Sequence, residues 1–168
     1  PIYLGILRKI SDSLLVLSIP FLFLGASIYF FRLARKFFSE QTAILGTLVF
    51  SLSHPIFLIG NIFENNIFSA LCFLGVCFHW YTFVFEGQKT RDLFWLSFWL
   101  GIGFWVRLDF AVFPILLFLL FWRENLEVLK KMSAQKWLLG MGVFGIFFIG
   151  YFLFDFWTYG KFLGYFSP

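Results

Sequence analysis

LFWLSFWLGIGFWVRLDFAVFPILLFLLFW, residues 93–122, is an apolar run of 30 residues with one charged interruption, Arg107-Leu108-Asp109. A straight helix of that length would measure about 45 Å, against about 30 Å for the hydrocarbon core of a bilayer. One strongly tilted helix with an arginine inside it is one solution. Two short helices joined near Arg107, each of about 14 residues and about 21 Å, fit the length better. They would hold the charged turn below the membrane surface.

The rest of the chain makes the bilayer the expected solvent. Of 168 residues, 61% are hydrophobic, 25% aromatic and 13% charged, and mean hydropathy is +0.88. Soluble domains carry about 25% charged residues. Too few polar residues remain to coat a soluble core, which excludes a cytosolic enzyme, a disordered tail and a nucleic-acid module. A net charge of +4 then reads as basic residues flanking membrane spans, with no nucleic-acid partner. Cys72 and Cys77 are five apart, about 140° round a helix, and cannot bridge.

Around residues 93–122, apolar runs mark further spans at about 13–31, 42–59, 66–85 and 137–159. Residues 1–12 are amphipathic and read as an interfacial approach segment. The expected fold is an all-α, polytopic transmembrane helical bundle of about six spans, a single domain over 1–168. Odd-numbered turns carry nine basic residues: Arg32, Arg35, Lys36, Lys89, Arg91, Arg123, Lys130, Lys131 and Lys136. The even-numbered turns and the ends carry four: Arg8, Lys9, Arg107 and Lys161. Positive residues stay inside, so both ends are expected outside the cytoplasm, in a cell membrane such as a bacterial inner membrane. Gly140, Gly142, Gly145 and Gly150 allow close helix approach.

Ionisable residues at membrane depth are functional candidates because burying them is costly. Arg107 and Asp109 form the first group. They are either a turn pair satisfied locally or, for Arg107, a planar fork for phosphate oxygens. Glu64, beside Asn61, Asn65 and Asn66, reads either as a helix start favoured by capping and dipole or as a carboxylate that could bind a divalent metal ion or sugar hydroxyls. Glu64, Gly75 and Thr82 share a helix face, with His79 about 60° away, so that face should meet protein or water. His54, with Pro55, sits at the end of a span, and Asp155 near the end of the last one. No Walker loop, GxGxxG, CxxC, HExxH or GxSxG is present.

Four passages carry a family resemblance. FFRLARKFFSEQTAILGTLVFSLSHPIFLIG (30–60) resembles a basic turn, small-residue helix and Ser-x-Pro passage, and IFENNIFSALCFLG (62–75) resembles a helix opened by an acidic residue. LGIGFWVRLDFAVFPILLFLL (100–120) resembles a pair of short helices with Gly-hydrophobic-x-x-Arg, and FWTYGKFLGYFSP (156–168) resembles an exit marked Tyr-Gly-x-Pro. Together these resemble the membrane core of GT-C fold glycosyltransferases, family 39-like, the branch of protein O-mannosyltransferases and the lipid A aminoarabinose transferase.

The resemblance implies a glycosyltransferase that moves a sugar from a polyprenyl-phosphate donor to an acceptor on the extracytoplasmic face. It implies that Arg107, Asp109, Glu64 and His54 line the donor cavity. The family's catalytic carboxylate lies in the first external loop, which would precede Pro1. The chain begins at Pro1 and its methionines are Met132 and Met141, so a truncated piece of a longer protein, lacking the first span and that loop, is expected. The alternative is a multi-pass transporter or lipid flippase for a lipid-linked substrate.

Overall fold

A computed structural model describes residues 12–52 and 64–159. The approach segment before Asp12, His54 with Pro55, the turn up to residue 63 and the stretch from Gly160 on lie outside the described residues. The described residues form seven α-helices and one short 3-10 turn, with no strand.

Helix α1 (Asp12–Ala34) contains Pro20, whose missing N–H a membrane helix tolerates because neighbours supply partners. The chain leaves α1 through Phe38, whose N–H donates to Ala34 O at 2.9 Å. Ser39 then caps α2 (Glu40–Leu52): its Oγ accepts the Thr42 N–H at 3.4 Å. Stacked Phe30 and Phe50 rings, 4.7 Å apart, and a 3.2 Å hydroxyl contact between Ser27 and Ser51 pack α2 back along α1.

Helix α3 (Glu64–Phe85) ends where Gly87 takes a φ of +107°, a left-handed conformation that glycine adopts without steric cost. The N–H of Gln88 reaches back to Phe83 O at 3.1 Å and closes the helix end. Lys36 contacts Glu86 at 2.7 Å, holding the α1–α2 turn to the end of α3. Helix α4 (Thr90–Val106) returns antiparallel along α3. They approach closely at Gly75, where a Cβ would lie 2.8 Å from the Trp99 ring.

The predicted break at Arg107 is present. Helix α4 stops at Val106, the chain turns through a 3-10 segment (Leu108–Ala111), and α5 (Val112–Leu120) runs back. The two pieces are unequal, with 17 and 9 residues. Helix α6 (Trp122–Lys131) is amphipathic and buries Val128 with Phe83 of α3 and Leu93 of α4. Asn125 joins these parts. Its amide accepts the Trp80 indole N–H at 3.0 Å and donates to Leu117 O at 3.3 Å, a carbonyl near the end of α5 that also accepts the Phe121 N–H.

Helix α7 (Ala134–Tyr159) packs parallel to α4, with Gly140 near Leu93 and Ser97 and Gly150 against Trp105. The expectation of close approach therefore holds for Gly140 and Gly150 and fails for Gly142 and Gly145, which have nothing within 4 Å. The latter two lie about 200° and 140° round the helix from Gly140, away from α4. The close contacts that shape the bundle lie instead at Gly75, Gly101 and Gly103. Both cysteines are free thiols, as their spacing predicts.

The exterior is apolar. Trp157, Leu120 and Leu138 are 84%, 75% and 74% exposed, a surface that suits lipid. Among the described residues, Ile67–Phe85 and Ala134–Trp157 are long and apolar enough to cross a membrane, and Pro20–Ala34 is a shorter apolar helix.

Candidate functional site

The helix pairings sort the polar residues between two ends of the bundle. One end gathers the end of α1, the α3–α4 turn, α6 and the start of α7, tied by Lys36 to Glu86 and by Lys136 Nζ donating to Gln88 O at 2.6 Å. The other end holds the α4 break, the start of α3 and the end of α7.

The break is built by glycine and a ring. Gly103 has no side chain, and the Phe110 ring lies where its Cβ would be. The last helical bond is Arg107 N–H to Gly103 O at 3.0 Å. Arg107 itself is extended (φ −151°, ψ 126°), and the Phe110 N–H donates to Arg107 O at 3.0 Å. Pro114 follows in the first turn of α5, where its missing N–H costs nothing. Phe110 packs with Cys72 and Val76 of α3, anchoring the turn while the Arg107 side chain is exposed.

Asp109 lies on this turn, and Glu64 is the first residue of the neighbouring α3. The backbone thus brings Arg107, Asp109 and Glu64 to one end. Asp155, 3% exposed, follows Phe154, whose ring is 6.1 Å from Trp105, so it lies level with the break. His54 is outside the described residues. Among the described residues no group of three or more His, Cys, Asp or Glu could hold a metal ion.

On the polar face of α3, Gly75 meets the Trp99 ring, and His79 and Thr82 are buried. Its centre is a buried chain that the sequence reading missed. Trp99 Nε1–H donates to Tyr29 Oη at 3.0 Å, Tyr29 contacts His79 Nε2 at 3.2 Å, and His79 Nδ1 contacts Asp92 Oδ1 at 3.3 Å. A carboxylate only accepts, so the neutral ring carries its hydrogen on Nδ1 toward Asp92, and Nε2 is left to accept the tyrosine O–H. Among the described residues none of this chain's fully buried side-chain polar atoms lacks a partner, and the bonds tie α1, α3 and α4 together. Asp92 reads in sequence as an acidic residue opening a helix. An antiparallel hairpin about Gly87 would have suggested His79 as its partner, but nothing in the sequence points to Tyr29.

One family model matches the chain over residues 5–153: dolichyl-phosphate-mannose-protein mannosyltransferase. The chain belongs to this family. No curated protein and no solved structure matches. The mannosyltransferase family match includes His54, Glu64, Arg107 and Asp109 and stops two residues before Asp155. Membership makes the chain part of a membrane glycosyltransferase family, in agreement with the resemblance drawn from its motifs and with its apolar helices.

Proposed function

We propose that this chain forms the donor-binding membrane core of a glycosyltransferase that uses a polyprenyl-phosphate sugar, with its site on the extracytoplasmic face. Arg107 holds the donor phosphate, and Asp109, Glu64 and His54 line the sugar side. The observation that carries the reading is the α4 break, which presents Arg107 at the end of the bundle where α3 begins. The family's description names a dolichyl-phosphate sugar as donor and protein as acceptor.

The chemistry is an inverting displacement. The acceptor oxygen bonds to the anomeric carbon while the carbon–oxygen bond to phosphate breaks. The leaving phosphate gains negative charge as that bond lengthens. A guanidinium placed on its oxygens stabilises that charge. A carboxylate base takes the acceptor proton.

Arg107→Lys tests the assignment in the intact protein in membranes. Lysine keeps the charge and loses the planar fork. Loss of a hydrogen bond to a charged group, about 1.5–3 kcal/mol, predicts about ten- to a hundredfold weaker donor binding at equal expression. Unchanged donor affinity would reduce Arg107 to a turn residue.

A further inference from the structure

A second polar site lies at the opposite end of the bundle from Arg107. There the end of α1, the end of α3 and the start of α4 enclose a cavity of about 810 Å³. Five cations line it, Arg32, Arg35, Lys36, Lys89 and Arg91, against two carboxylates, Glu86 and Asp92. Both carboxylates are engaged: Glu86 by Lys36 at 2.7 Å, and Asp92, 4% exposed, by His79. Arg35 reaches Glu40 at 3.8 Å. Among the described residues, Arg32, Lys89 and Arg91 form no ion pair.

We propose that this cavity binds a phosphate group, with Arg32 and Arg91 as the principal ligands and Lys89 beside them. Three uncompensated cations on three different segments converge on one concave space, which favours a compact polyanion over scattered water contacts. Guanidinium groups on α1 and α4 can clamp phosphate oxygens from two sides. Phe31, Phe78 and Trp95 supply apolar wall to the same cavity, which accommodates the ester root of a phosphate as well as its head. The buried His79–Asp92 pair lies in the cavity wall, with one Asp92 oxygen 3.3 Å from His79 Nδ1. This site does not depend on the role given to Arg107.

The phosphate can come from a lipid headgroup or from a soluble phosphate, and titration of the detergent-solubilised protein separates the two. Tryptophan fluorescence, with Trp95 in the wall, is followed against dihexanoyl phosphatidic acid and, separately, inorganic pyrophosphate at fixed ionic strength. Saturation by phosphatidic acid alone assigns a lipid headgroup, and saturation by pyrophosphate assigns a soluble ligand. Either supports the site.

The variant Arg32→Gln/Arg91→Gln should weaken that binding about tenfold or more. The variant Arg123→Gln/Lys130→Gln removes equal charge from the exposed surface of α6 and should change it less than twofold. Lys89→Gln is a milder second variant, expected to weaken binding a few-fold. Absence of saturation with both probes overturns the proposal. So does equal weakening in the two double variants, which would mark a diffuse interfacial charge.

Discussion

The Phe110 ring lies against the backbone of Gly103, in the space a side chain there would need. This contact turns a 30-residue apolar run into two helices. Gly103 also accepts the last helical bond, from the Arg107 N–H, so the two residues that make the turn also fix where the arginine emerges.

Gly103→Ala should therefore destabilise the protein by about 1–3 kcal/mol, the usual cost of overpacking a tight site. Gly142→Ala is the matched control, since nothing lies within 4 Å of its Cβ position. Helix propensity there favours alanine by up to about 1 kcal/mol. Thermal unfolding of both variants in the same detergent checks the pair. Equal melting temperatures would show that Phe110 moves aside freely.

Tyr29→Phe removes the hydroxyl that accepts from Trp99 and meets His79. The expected loss is about 1–2 kcal/mol, as for side-chain hydrogen bonds between membrane helices. A double-mutant cycle with His79→Phe should show coupling, because each change strands the other's partner. Additive losses would mean that the two side chains act independently.

Asn125 makes two kinds of bond, accepting from Trp80 and donating to the end of α5. Asn125→Asp keeps the acceptor and loses the donors, while Asn125→Leu loses both. Leucine should cost about 1–3 kcal/mol by leaving the Trp80 N–H without its partner. If packing alone mattered, leucine would be the milder change, and denaturant unfolding distinguishes the two orders.

The topology argued from the basic residues predicts which turns face the cytoplasm. In a background without Cys72 and Cys77, single cysteines at Gly87 and Ser133 should resist an impermeant thiol reagent added to intact cells. One at Ile62 should react. Labelling at Gly87 or Ser133, or protection at Ile62, would invert the orientation.

The composition and the apolar runs determined the class of this protein: helical, membrane-embedded and broken near Arg107. Those properties follow from local hydropathy, helix length against bilayer thickness, and one charge inside an apolar stretch. The sequence also placed the ends of α3 and the start of α7 closely, because EGQKTRD and the Ser133 region interrupt the apolar pattern. The motifs pointed to the family that the match over residues 5–153 established. Tertiary structure alone decided which glycines meet a neighbour. Gly140 and Gly142 look alike in the sequence, and only the direction each faces separates them. It also decided that Tyr29, His79 and Asp92, from three helices, form one hydrogen-bonded chain, and that Arg32 and Arg91 face one cavity. Such contacts depend on the rotation and register of packed helices, which no single segment's hydropathy encodes.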